Sequence, residues 1–151
     1  MTPRLVDLRT GYPRSLHERL GGYVHLARMI DKCRAKLSGT IGEYLYPCPL
    51  DQRMLEFAGI DPDQFLDQVR QHSDEAIVHW WTVTAKPHSD DEREAWNQAM
   101  ETRSPDTEEK WAYFRRVRDK LDPTRSDIVT WADLLDLEEG RTVPRRTPAD
   151  G

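Results

Sequence analysis

The residues best suited to chemistry lie between Gly21 and Gly59, a stretch that holds both cysteines and a dense mixture of Arg, Lys, Asp and Tyr. Positive charges at Arg28, Lys32 and Lys36 repeat every four residues, so they share one side of a predicted helix. Such a row suits a planar carboxylate or a phosphate, because a guanidinium donates to these groups in a fork. We therefore predict a site for a small anionic molecule, with binding residues Arg28, Lys32, Arg34, Asp51 and Arg53.

Three side chains in this stretch are candidates for the acid, base or nucleophile of a catalytic site: Asp31, Tyr44 and Cys48. Cys48 lies between two prolines, near a predicted helix start and several cations, which are surroundings that favour a thiolate. The competing interpretation is a buried, inert cysteine, since Asp51 adds a negative charge nearby. Cys33 lies on an apolar helix face and is predicted to belong to the core.

Two elements must position these residues. Apolar residues at helical spacing predict a helix from Tyr23 to Leu37. Residues 40–49 contain a glycine, two tyrosines and two prolines, and the residue before a proline avoids helical geometry, so this segment is predicted to be extended. The site exists only if the extended segment lies against the charged side of the helix.

Further helix starts are predicted along the rest of the chain. Asp51 is predicted to cap a second helix, and the pair Asp61-Pro62 is a strong start signal for a third. Later caps are predicted at Ser73, Ser89 and Thr130. These signals predict an all-α fold, a single compact helical domain of about seven helices over residues 1–140 with a disordered tail at 141–151.

Composition narrows the class of protein. With 151 residues the chain fits one domain, and a net charge of -5 disfavours a nucleic-acid partner, which usually requires a basic surface. The sequence contains no apolar run long enough for a bilayer, and its first residues lack the apolar core of a secretory signal. We expect a soluble, cytoplasmic protein that does not enter a membrane and keeps both thiols reduced.

No motif with established mechanics identifies a cofactor or a metal. The sequence lacks a glycine-rich phosphate loop, a His-Glu-x-x-His pair and paired Cys-x-x-Cys knuckles. The five histidines and Cys48 lack the close spacing of a ligand cluster, so no metal site is predicted. Whether the protein uses a cofactor, and which one, stays unknown from the sequence.

One family resemblance is visible in three runs of sequence. They are RLGGYVHLARMIDKCRAKLSG at residues 19–39, GEYLYPCPLDQR at 42–53 and GID at 59–61. Together they resemble the bacterial proteins grouped as domain of unknown function family 5069. The resemblance implies a compact soluble bacterial protein and adds no catalytic residues, because that family has no assigned reaction.

Two other functions remain open at this stage. Peripheral helices between Ser89 and Leu121 could form the interaction surface of a non-catalytic regulatory module. The row Arg28, Lys32 and Lys36 could bind RNA or DNA, which would require affinity that falls steeply with salt. The oligomeric state is left open.

Overall fold

The computed structural model describes residues 6–146, and the regular structure in this range consists of α-helices. Outside the helices, the described range contains one isolated bridge, between Leu20 and Tyr23. The predicted all-α class is therefore confirmed. Within residues 6–146 the helices are α1 (Leu26–Leu37), α2 (Pro49–Ala58), α3 (Pro62–Val69), α4 (Asp74–Thr84), α5 (Asp90–Thr102), α6 (Glu108–Leu121) and α7 (Trp131–Glu138).

Most of the predicted helix starts are confirmed by their capping bonds. Asp61 accepts a hydrogen bond from the Asp63 amide and Pro62 opens α3. Ser73 and Thr130 accept from amides three residues on, at the starts of α4 and α7. These bonds satisfy amide groups that have no partner inside a helix.

Two helix starts differ from the prediction. The first helix begins at Leu26 rather than Tyr23, because His25 has a φ of 70° and this left-handed residue cannot continue a helix. The second helix begins at Pro49 with Cys48 as N-cap, so the predicted cap at Asp51 is wrong. Asp51 lies in the first turn instead, where its side chain accepts from the Cys48 amide at 2.9 Å.

The segment predicted to be extended, for which we keep the name extended segment, contains no helix over residues 40–48 but turns at residues 42–43 and 46–47, and Pro49 already belongs to α2. The segment lies against α1. The Lys36 ammonium donates to the Tyr46 carbonyl at 3.0 Å, and the Lys32 ammonium donates to Cys48 Sγ at 3.1 Å. Gly42 has a φ of 61°, and a Cβ at this position would lie 2.9 Å from the Leu8 carbonyl oxygen. This close approach of two backbones, which only glycine permits, fixes the segment beside residue 8.

The described residues form two compact units, 6–94 and 95–146. In the first, α1 packs on α3 and the fully buried core includes Ile30, Phe65 and Trp81. The rings of Phe65 and Trp81 meet edge to face, with centroids 5.6 Å apart. The division of the chain into a domain at 1–140 and a tail stays a prediction.

The second unit contains α6 and α7. Its core is formed by Phe114, Ile128, Leu134 and Val143. Residues 141–146, which were predicted to belong to the tail, are packed here because Val143 is apolar and Arg146 forms two bonds of 3.0 Å with Asp133. Residues 147–151 of the predicted tail lie outside the described residues.

Candidate functional site

A continuous chain of polar contacts runs from the core to Cys48. His25 Nε2 lies 2.7 Å from Asp51 Oδ1, and the other carboxylate oxygen accepts from Lys32 Nζ at 2.6 Å. The same ammonium donates to Cys48 Sγ at 3.1 Å. The side chains of His25 and Asp51 are fully buried and that of Lys32 is 4% exposed, whereas Cys48 is partly exposed. We call these four residues the polar chain; only its thiol end is open to solvent to any substantial degree.

Two helix starts bring the polar chain together. His25 is the N-cap of α1, and Lys32 follows seven residues later, about two helical turns along the same face. Cys48 is the N-cap of α2, and Asp51 is in its first turn. Asp51 Oδ2 accepts from both the Cys48 amide and the Lys32 ammonium, so this oxygen joins the start of α2 to the middle of α1, while Oδ1 contacts His25 at the start of α1.

The charges along the polar chain follow from its burial. Burial lowers the pKa of His25, and the hydrogen bond with Asp51 opposes this only in part, so the ring is neutral at pH 7. Burial would raise the pKa of Asp51, but the hydrogen bond from His25 and the charge of Lys32 hold it well below its usual range. The chain therefore contains a carboxylate between a neutral imidazole and an ammonium.

This charge assignment also fixes the tautomer of His25. A carboxylate can only accept hydrogen bonds, so Nε2 carries the ring hydrogen and Nδ1 is an acceptor. Nδ1 is buried, and no described residue donates to it. A buried acceptor without a donor costs about 1–3 kcal/mol, which is unusual in a folded protein. His25 also occupies the left-handed region, so two unfavourable features meet at this residue.

The thiol end of the polar chain is the part that can react. Lys32 has three N–H donors, and the described contacts use two of them, to Asp51 and Cys48. The third can bind an oxygen atom that approaches the thiol. The Cys48 thiol also lies at the N-terminus of α2, where backbone amides favour negative charge.

A second buried network contains two of the predicted site residues. Asp31 is fully buried and accepts from the Arg14 backbone amide at 2.9 Å and from its Nε and Nη2 at 3.1 Å. Arg14 also donates to Asp74 at 2.8 Å. Arg34 Nη1 forms an ion pair with Asp74 Oδ1 at 2.8 Å. The N–H bonds of Nη1 do not point at this oxygen, so the contact is not a hydrogen bond. The network joins residue 14 to α1 and α4.

The pKa values of this second network show why it stays charged. Burial would raise the pKa of Asp74, but Arg14 and Arg34 lower it below its usual range. Burial would lower the pKa of Arg14, but its bonds to Asp74 and Asp31 raise it above its usual range. Each charge is matched by an opposite one, so these groups hold the fold rather than face a ligand.

The other predicted residues lie apart from the polar chain. The Arg28 guanidinium lies over the Tyr44 ring, 5.8 Å from its centroid, and Nη1 donates to the Arg14 carbonyl at 3.2 Å. Arg53 is exposed on α2, and the described contacts do not join it to the cluster. The structure therefore brings together Lys32, Cys48 and Asp51 from the predicted set and adds His25.

Cys33 differs from Cys48 in its burial. It is fully buried, as the helix pattern predicts, and burial raises the pKa of its thiol. Tyr46 packs beside it, and burial also raises the pKa of this phenol. Neither group has an ionised form at neutral pH, so Cys33 has no role as a nucleophile.

The residues that sequence reasoning missed are His25 and Arg14. His25 directly precedes the helix and is separated from Lys32 by two turns, so the helical spacing of these two residues was the available signal. Arg14 lies 17 residues before Asp31, and no local pattern connects positions that far apart. Among residues 6–146, no group of three or more His, Cys, Asp or Glu side chains is arranged to hold a metal ion.

The structure defines a small all-α protein with a buried polar chain that ends at a partly exposed thiol. The chain belongs to the family described as Domain of unknown function (DUF5069), whose model matches residues 10–141. No curated protein matches it. None of the described helices has both the length and the apolar character needed to cross a bilayer.

Proposed function

We propose that the protein binds a small molecule carrying a carboxylate or a phosphate where Lys32 meets Cys48, and that the Cys48 thiol acts as the nucleophile toward it. The observation that carries this proposal is the contact of 3.1 Å between Lys32 Nζ and Cys48 Sγ. Among the described thiols, Cys48 alone combines partial exposure with an adjacent cation.

Each member of the polar chain has a role in this proposal. The free donor of Lys32 binds the anionic group, as charge-assisted hydrogen bonds are about twice as strong as neutral ones. Asp51 holds the ammonium at 2.6 Å and is itself oriented by His25. The α2 N-terminus stabilises negative charge that develops near Cys48.

The energetics support a functional origin for the polar chain. A buried ion pair is often no more stabilising than apolar residues of the same volume, so stability alone does not explain Lys32 and Asp51. The left-handed His25 and its unpaired Nδ1 add further cost. Features of this kind concentrate at sites where chemistry or binding requires them.

A thermal-shift screen tests the proposal. The probes are phosphate, citrate and a panel of phosphorylated and carboxylated metabolites, each compared with a neutral analogue. A ligand at a hundred times its dissociation constant raises the free energy of unfolding by about 2.7 kcal/mol. We expect anionic probes to raise the Tm of the wild-type protein and their neutral analogues to have no effect.

Two variants test where a probe that raises the Tm binds. Cys48→Ser retains the size of the side chain and should reduce the shift, and Lys32→Met should abolish it. Lys36→Met is the matched control, since Lys36 is on the same helix but is exposed, and its contacts among residues 6–146 are with the carbonyl and the ring of Tyr46. Equal shifts in the Lys32→Met and Lys36→Met proteins would place the ligand elsewhere and refute the proposal.

The second candidate function, an interaction module, is favoured by one feature of α6. An open groove of about 630 Å³ lies along this helix, and Tyr113 beside it is 50% exposed. Arg116 lies over the Tyr113 ring, 5.5 Å from its centroid. The groove contains no buried polar group, so the polar chain supports the small-molecule function more strongly.

A further inference from the structure

We propose that Lys32 and Cys48 form a covalent sulfur–nitrogen crosslink when the protein meets a peroxide. The polar chain would then be a modification site as well as a binding site. This inference needs no ligand, so it stands or falls independently of the proposed function.

The geometry is that of two reacting atoms already in place. Nζ and Sγ are 3.1 Å apart, within the range of about 3–3.5 Å that defines a near-attack arrangement. Both atoms are held from outside the pair, because Asp51 Oδ2 accepts from the Lys32 ammonium and from the Cys48 amide. The side chain of Lys32 is 4% exposed, which restricts its movement away from the sulfur.

The surroundings favour this nitrogen over other partners for an oxidised Cys48. A sulfenic acid normally condenses with a second thiol or with a nearby nitrogen. Cys33 is fully buried, and burial disfavours its thiolate, which is the form that would attack. Lys32 is already in contact with Sγ, so the intramolecular reaction has a large advantage over any small thiol in solution.

The first step oxidises the sulfur. The Cys48 thiol loses its proton and the thiolate attacks hydrogen peroxide, so that an S–O bond forms and the O–O bond breaks. The leaving hydroxide takes up a proton and becomes water. The sulfur gives up two electrons, the peroxide is reduced, and the products are the sulfenic acid and one water.

The second step forms the crosslink without a further oxidant. Lys32 Nζ first gives one proton to solvent, because only the neutral amine has a lone pair. The amine then attacks Sγ, the N–S bond forms and the S–O bond breaks, and a second proton from the nitrogen leaves with the hydroxyl group as water. The product is a sulfenamide, which a thiol reductant reopens to the original lysine and cysteine.

Peptide mapping of the full chain tests this chemistry directly. The protein is treated with hydrogen peroxide, free thiols are blocked with iodoacetamide, and the sample is digested with trypsin without reductant. A crosslinked Lys32 cannot be cleaved, so residues 29–34 should appear joined to residues 37–53, with the loss of two hydrogens. Dithiothreitol added before digestion should abolish this product.

The same digest separates the competing outcomes. A Cys33–Cys48 disulfide would leave Lys32 open to trypsin and would join residues 33–34 to 37–53, which overturns the proposal. Sulfinic or sulfonic acid at Cys48 with cleavage retained after Lys32 would overturn it as well. The protein oxidised in denaturant is the control, and it should give no joined peptide because unfolding separates Lys32 from Cys48.

Discussion

His25 is the residue around which the polar chain is built. Its backbone has a φ of 70°, in the left-handed region. For a residue other than glycine this conformation costs of order 1–3 kcal/mol of folding free energy. Its backbone amide donates to the Leu16 carbonyl, and its own carbonyl accepts from the Met29 amide, so both backbone groups are used. The conformation is therefore imposed by its neighbours and directs the ring to Asp51.

Removing the cation from the polar chain should be strongly destabilising. Lys32→Met leaves Asp51 as a buried carboxylate without its ion pair, and such a loss costs about 3–5 kcal/mol. Lys36→Met removes one bond to a carbonyl at an exposed position and should cost about 1 kcal/mol. Denaturant unfolding of the two variants measures both costs, and equal values would show that the ion pair does not stabilise the fold.

Acid should destabilise the protein through His25 first. Because its folded pKa lies below that of the unfolded chain, the unfolded state binds more protons as pH falls below about 6.5. The free energy of unfolding should decrease by up to about 1.4 kcal/mol per pH unit from this group. Asp51 adds a further loss below about pH 4, because its folded pKa is also lowered.

Unfolding experiments from pH 7.5 to pH 5 isolate the contribution of His25. His25→Gln removes the titrating group, so its stability curve should be flatter than that of the wild-type protein in this window. An unchanged slope in the variant would mean that His25 titrates normally and is not held neutral by burial.

Among the elements, the position of the extended segment depends on one close approach between two stretches of backbone. Gly42→Ala adds a Cβ that would lie 2.9 Å from the Leu8 carbonyl oxygen, at a φ of 61°. Gly39→Ala is the matched control, since its φ is 71° and a Cβ there meets nothing within 4 Å. Both variants lose about 1–2 kcal/mol from the left-handed conformation, and Gly42→Ala should lose about 1–3 kcal/mol more.

Thermal or denaturant unfolding measures this difference. A Gly42→Ala protein as stable as the Gly39→Ala protein would show that the backbone at residue 42 is not tightly packed against Leu8. The contact of the extended segment with the preceding residues would then be looser than the structure indicates.

The second buried network should hold residue 14 on α1. Asp31→Asn weakens three bonds from Arg14 and should cost about 1.5–3 kcal/mol, because the mostly buried guanidinium loses one of its two charged partners. Asp7→Asn weakens a solvent-exposed pair with Arg9 and should cost clearly less, because water screens exposed ion pairs. Similar losses of stability in the two variants, measured by denaturant unfolding, would contradict a structural role for Asp31.

At the scale of the whole molecule, local sequence signals account for most of the fold. The caps at Asp61, Ser73 and Thr130 are formed by short-range bonds, and Pro47 keeps the residue before it out of a helix, so each was predictable. The packing of residues 141–146 depends on Val143 and on a bond between Arg146 and Asp133, which are set by tertiary contacts. A tail of polar and proline residues carries no local signal of such packing.

The sequence predicted where the candidate site lies but not all of the residues that form it. The helical row and the extended segment located the contact of Lys32 with Cys48. His25 was missed, because its role depends on the left-handed turn that ends the preceding segment. Asp31 was placed in the site because it lies among cations in sequence, whereas its partner Arg14 comes from a distant part of the chain.

The most direct test of the account is the alkylation of Cys48 by two reagents of similar size, the anionic iodoacetate and the neutral iodoacetamide. Mass spectrometry of the folded protein gives the rate at each cysteine, and buried Cys33 serves as the internal unreactive control. The quantity to compare is the ratio of the rate with iodoacetate to the rate with iodoacetamide. We predict that this ratio for Cys48 is several-fold higher in the folded protein than in the unfolded chain. Lys32→Met should remove this preference, and Lys36→Met should retain it. A Cys48 that shows the same ratio folded and unfolded, or that resists both reagents, would contradict the anionic thiol site.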